Sequence, residues 1–214
     1  MLKPVRWKTF PRDLLVIEIG FILFSLAITL MIRANLGTSA WAVLEVALAQ
    51  KLHITIGTMT VLMGFLVLSG ALIMREKIGW GTLGNILSIG PWEDMWLSII
   101  PSIKDNLPLQ IGMLLVAILL MGLASAIYIG VDAGAGPRDS MMLAIKRTTG
   151  VSIRVARGCI EVTVVTTGWL LGGPAGIGTL IYALLVGPAI QWGFKIFNVQ
   201  PHKDELPIVQ AAAD

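Results

Sequence analysis

The residues best placed to do chemistry in this chain form the run Asp132-Ala-Gly-Ala-Gly-Pro-Arg138-Asp139-Ser140. Gly134 and Gly136 permit close backbone approach, and Pro137 suits the first turn of a helix. The free N–H groups of that turn, together with Arg138, offer a site for an anion or a carboxylate. Asp139 could cap the helix, pair with Arg138, or take the ammonium of a zwitterion. A second stretch of similar shape, Gly37-Thr38-Ser39-Ala40-Trp41, presents hydroxyls and an aromatic ring in place of charges. Two readings of Arg138 and Asp139 stand side by side: a surface pair at the start of an amphipathic helix, or part of a ligand or ion pathway.

Other acidic residues are candidates because ionisable groups in apolar surroundings are costly unless they face a cavity or a partner. Glu161 lies one helical turn after Arg157 on the same face, so it reads as a proton-coupling carboxylate or as half of an interfacial ion pair. Asp132 is the second coupling candidate. Glu45 is the sole charge between Arg33 and Lys51, which fits either a polar lumen or a solvated face. Glu93 and Asp94 are expected to reach external headgroups and Glu18 internal ones. Trp80, Trp92, Trp96, Trp169 and Trp192 are expected to anchor at the interface.

Several chemistries are excluded. A single cysteine, Cys159, and two histidines, His53 and His202, give neither an intrachain disulfide nor a Cys/His zinc site. No metal or cofactor is expected. The nucleophile and metal motifs of intramembrane proteases, phosphotransferases and zinc hydrolases do not occur, so an enzyme is not expected. With 16 Lys+Arg against 13 Asp+Glu, net +3, and no basic cluster interleaved with aromatics, nucleic acid is not expected as a partner.

The elements that must position these residues belong to a membrane protein. Of 214 residues, 56% are hydrophobic and 14% charged, against about 45–50% and about 25% in soluble domains. Helices of about 20 apolar residues are needed to cross a bilayer, and six stretches qualify, near residues 13–33, 54–74, 79–101, 108–131, 153–172 and 176–197. The basic residues before the first could signal a leader peptide, but its apolar run is too long and Arg33 stands where cleavage would need small residues. Residues 39–52 and 137–149 are helical in pattern but too short to cross, and read as half-helices. The expectation is an all-α, polytopic bundle of six transmembrane helices plus two half-helices in one membrane domain, 1–214.

Sliding the chain against itself by 97 residues aligns Gly79, Gly81, Thr82, Gly90 and Pro91 with Gly176, Gly178, Thr179, Gly187 and Pro188, and Gly37 with Gly134. This defines an internal repeat, 14–99 and 111–196. Wherever one half is basic the other is bare. Lys3, Arg6, Lys8 and Arg12 face Lys104 alone, whereas Lys146, Arg147, Arg154 and Arg157 face Lys51. Positive charge marks cytoplasmic loops, so the opposition implies inverted halves with cytoplasmic tails at 1–12 and 198–214.

At Ala34-Asn35-Leu36-Gly37-Thr38-Ser39-Ala40-Trp41, at Gly134-Ala135-Gly136-Pro137-Arg138-Asp139-Ser140 and at the Gly176–Pro188 helix, the chain resembles the YczE/YitT-like family of bacterial integral membrane proteins, chiefly its YczE branch. The resemblance spans roughly residues 14–197 and implies a bacterial inner-membrane protein of transporter type. It brings no established functional residues. The functional expectation is a small secondary transporter for an anionic or zwitterionic metabolite, in contact with the lipid bilayer, with its site at the two Gly-rich breaks. The alternatives are a substrate-binding subunit of a larger importer or a non-transporting scaffold. A homodimer or a partner subunit is compatible with any of these.

Overall fold

The computed structural model describes residues 6–199, apart from Lys77 and Ala135. The outer parts of both expected cytoplasmic tails, and His202 with them, lie outside the described residues. Among the described residues eight helices form and there is no strand. They are α1 (Phe10–Ala34), α2 (Ala40–Leu52), α3 (Ile56–Ile73), α4 (Trp80–Ile99), α5 (Leu107–Gly130), α6 (Pro137–Thr149), α7 (Ile153–Leu170) and α8 (Ile177–Ile196).

Local chemistry sets their ends. Ser39, Thr55, Asn106 and Ser152 cap α2, α3, α5 and α7, each side chain accepting a hydrogen bond from a backbone N–H of the first turn. Proline occupies the first turn of α1, α5 and α6, where its missing N–H removes no helical bond. Gly150 ends α6 at φ 74, the left-handed cap that glycine supplies without a steric cost.

Four helices, α1, α3, α5 and α8, are long and apolar enough to cross a membrane. α4 and α7, expected to cross as well, are more polar: α4 carries Glu93 and Asp94, and α7 carries Arg154, Arg157 and Glu161. Large apolar side chains such as Leu66, Ile73, Leu170 and Leu184 point outward, which only an apolar solvent makes favourable on this scale.

α2 and α6 begin at residues 40 and 137, α3 and α7 at 56 and 153, and α4 and α8 at 80 and 177, each pair 97 residues apart. Backbone conformations match at the same offset. Left-handed residues occur at Asn35 and Asp132, Gly37 and Gly134, His53 and Gly150, and Arg75 and Gly172.

The core is built on α1, α5 and α8, around Phe21, Ile28, Met31, Leu114, Met121 and Val186. α1 packs on α4 and α5 on α8; α2 packs on α7 and α3 on α6. One extensive pairing has no counterpart of similar extent. α3 packs along α4, but α7 and α8 do not pack along each other.

Candidate functional site

The two Gly-rich breaks are bound to the helix starts that lie far from them in sequence. The N–H of Gly178 donates to the carbonyl of Leu36 at 2.6 Å, and the N–H of Gly81 donates to the carbonyl of Ala133 at 3.0 Å. Gly37 (φ +110) has Gly176 and Thr179 directly against its Cα, and Gly134 (φ +122) has Gly79 and Thr82 in the same place. Both the left-handed backbone and the close approach demand glycine here. These contacts tie the breaks before α2 and α6 to the starts of α8 and α4.

The starts of α2 and α6 open on one cavity of about 660 Å³, a volume typical of small-molecule sites. Ser39 and Trp41 reach it from α2, and Gly136, Arg138 and Asp139 from α6. α7 and α8 form the opposite wall, with Arg157, Glu161 and Tyr182 facing in. α7 and α8, which do not pack along each other, both border the cavity, and residues of the other six helices complete its lining. Its lining is mostly apolar, with a few converging polar groups.

Arg138 is the centre of the polar set. Its guanidinium pairs with the Glu45 carboxylate at 2.5 Å and lies 4.9 Å from the centroid of the Trp41 ring, a cation–π geometry. Glu45 is fully buried behind it. Between the two expected positions for Glu45, polar lumen or solvated face, the structure therefore gives a third: a buried carboxylate neutralised by Arg138. Arg138 thus pairs with the other half of the chain. No side chain caps α6, and Asp139 stands in the cavity wall.

The other sequence candidates separate into three groups. Glu161 lines the cavity and accepts from Arg157 Nε at 2.8 Å. Gly37 and Gly134 shape the breaks. Thr38 and Ser140 are buried, and their hydroxyls have no hydrogen-bond partner among the described residues. Asp132 takes the left-handed conformation in the break after α5 and does not belong to the cavity wall.

Glu93 is not where the sequence suggested. Glu93 is fully buried rather than at the headgroups, and its Oε2 accepts from Thr60 Oγ1 at 2.9 Å. Thr60 Oγ1 also lies 3.5 Å from Glu45 Oε2. Glu18 accepts from Ser88 Oγ at 2.9 Å and from Trp92 Nε1 at 2.6 Å, so Trp92 is a helix-to-helix partner as well as a bulky ring. Asp94 caps α3, accepting from Gly57 N at 2.8 Å and Thr55 Oγ1 at 2.5 Å. Sequence reasoning passed over Thr60 and read Arg157 only as the ion-pair partner of Glu161, although both stand in the cavity wall. The signal that could have found them is the repeat itself, because the two residues stand 97 apart.

The model of a family of unknown function, DUF6198, matches residues 11–195. The chain belongs to this family. Among its relatives are an uncharacterized protein of Haemophilus influenzae, 32% identical over 86% of this chain and 86% of its own length, and the uncharacterized membrane protein YczE of Bacillus subtilis, 31% identical over 78% of this chain and 79% of its own. The uncharacterized protein YyaS of B. subtilis is 29% identical over 79% of this chain and 86% of its own. No solved structure matches. The resemblance to the YczE branch is therefore met, and with four apolar helices long enough to cross this DUF6198 member is a multi-pass membrane protein.

Proposed function

We propose that the chain is a small secondary transporter for an anionic or zwitterionic metabolite, built from two inverted repeats of three spans and one half-helix each. Both tails are then cytoplasmic in a bacterial inner membrane. The observation that carries this reading is that the first turns of α2 and α6 line one cavity, with Arg138 among them. Half-helix N-termini aimed at a shared cavity are a characteristic transporter device for anionic groups. Irregular backbone at membrane depth is tolerated where it lines a cavity or is buried in protein.

The inverted arrangement draws support from residues at equivalent positions. Trp41 and Arg138 stand 97 apart and touch each other, as equivalent positions do near a two-fold axis. The bonds Gly178 to Leu36 and Gly81 to Ala133 are the same bond exchanged between halves. The opposition of basic residues supports cytoplasmic tails. The missing α7–α8 packing, against the packed α3–α4 pair, reads as one side open and the other closed, the state expected when repeats rock about a fixed site.

The test is a thermal-stabilisation screen of the purified full chain against small carboxylates, phosphates and amino acids, followed by flux of the best hit in proteoliposomes. Saturable flux that R138Q abolishes is expected. Flux unchanged in both R138Q and D139N would remove the site, and a hit that binds without crossing would mark a binding subunit instead.

A further inference from the structure

Two carboxylates and one guanidinium meet at the back of the cavity. Glu45 and Glu93 are both fully buried, Thr60 lies between them, and Arg138 pairs with Glu45 alone. The hydroxyl of Thr60 carries one proton, which it donates to Glu93 at 2.9 Å, and it stands at 3.5 Å from Glu45. Glu93 Oε1 is buried with no hydrogen-bond partner among the described residues. One positive charge thus stands against two acids that water does not reach.

Among the described residues no second cation pairs with either acid. α3 carries no ionisable side chain over its whole length. From α1, Glu18 is taken by Ser88 and Trp92, and Arg33 by the Leu97 carbonyl. From α6, Arg147 pairs with Glu76, and Asp139 faces the cavity. On α4 itself, Asp94 is occupied at the start of α3. A second buried carboxylate without a countercharge costs several kcal/mol as an ion, on the order of the effective penalty for any buried charge, so the acid form is the cheaper one.

We propose that Glu45, Thr60 and Glu93 form a proton-binding site that couples proton movement to the anion at Arg138. In the resting site Arg138 is positive, Glu45 negative and Glu93 a neutral acid, so the buried net charge is zero. An anion that takes Arg138 away from Glu45 leaves Glu45 buried without its countercharge. Glu45 then accepts a proton at Oε2, delivered from the cavity past the Thr60 hydroxyl, which lines it. The loaded site again sums to zero, with one proton bound for each negative charge that enters. The three side chains offer five oxygens, one of them held by Arg138, fewer than the about six or more ligands that a hard metal cation takes. The coupling role rests on the transporter reading; the proton site does not.

Infrared spectroscopy of the full chain in lipid vesicles near neutral pH tests this with the proton as the only ligand. The wild type is expected to show one buried carboxylic-acid C=O band that E93Q removes and T60V shifts. Because R138Q mimics the loss of Arg138 to an anion, it is expected to add a second acid band, which the double variant R138Q/E45Q lacks. R138K, keeping the charge, is expected to show one band. An acid band that survives E93Q, or a wild type without one, overturns the site. Equal spectra for R138Q and R138K overturn the coupling. If R138Q does not fold, E93Q and T60V against the wild type still decide the site. Proton binding without flux of any solute would spare this site and sink the transporter reading, so the two fail separately.

Discussion

The carboxylate of Glu45 and the guanidinium of Arg138 meet at 2.5 Å although they belong to different half-helices, α2 and α6. Glu45 is fully buried, while Arg138 is 28% exposed toward the cavity. The pair is therefore structural on one side and available to a ligand on the other.

Breaking a buried pair by removing one partner costs about 3–5 kcal/mol, because an uncompensated charge stays behind. With Arg138 partly exposed, R138Q is expected at the lower end, about 3 kcal/mol. The double variant R138Q/E45Q is expected to recover most of the loss. Thermal denaturation of the three variants in one detergent forms the double-mutant cycle, and additive losses would show that the pair does not couple.

The glycines separate by environment. G37A must place a methyl group in the left-handed region and against Gly176 and Thr179, whereas G150A meets the same backbone cost, φ +74, in open space. G150A is expected to lose about 1–2 kcal/mol, the cost of a left-handed L-residue, and G37A distinctly more. Gly158, within α7 and with nothing near its Cα, is the opposite case: G158A is expected to gain roughly 0.5–1 kcal/mol from helix propensity. Melting temperatures of the three variants give the order, and G37A no worse than G150A would contradict the close packing of the break.

Much of this architecture is legible in sequence. Punctuation by Gly, Pro and hydroxyl caps places α6 at 137–149 and α2 within a residue of its start, because such signals act over a single turn. The offset of 97 is visible because the close contacts at Gly37 and Gly134 tolerate no other residue. The site is less legible. A carboxylate near the end of an apolar run, such as Glu93, reads as reaching for headgroups, and only the packing of α3 on α4 with Thr60 between them makes it buried. The Arg138–Glu45 pair joins residues with no periodic relationship, and the pairing follows from how the two half-helices cross.

The packed and open helix pairs predict the opposite conformation. A Cβ on Gly64 would lie 3.4 Å from the Cβ of Ile86, close to the roughly 3.5–4.5 Å that disulfides use. In a C159S background, the pair G64C/I86C is expected to cross-link α3 to α4 readily. The equivalent positions, Glu161 and Ala183, stand on α7 and α8, which do not pack along each other. E161C/A183C is expected to cross-link only in the population that has closed that side, so locking α3 to α4 should suppress it. A gel-shift assay on membranes reads both, and efficient simultaneous cross-linking of the two pairs in one molecule would exclude rocking.

Asp94 is expected to bias this equilibrium. It bonds Gly57 N and Thr55 Oγ1 at the start of α3 from its place on α4, so it both caps one helix and ties the closed pair together. At the position 97 residues on, the partner of this arrangement is Gln191 with Ser152 and Arg154, which lacks the carboxylate. D94A removes the cap at a cost of about 1 kcal/mol, and it does so only in the conformation where α3 and α4 are together. The equilibrium is then expected to shift about fivefold toward the opposite state, since 1.4 kcal/mol corresponds to a factor of ten. The readout is the yield of the E161C/A183C cross-link, which should rise in D94A and less in D94N, whose amide oxygen still accepts from Gly57. A yield unchanged by D94A would mean that the α3–α4 contact does not move.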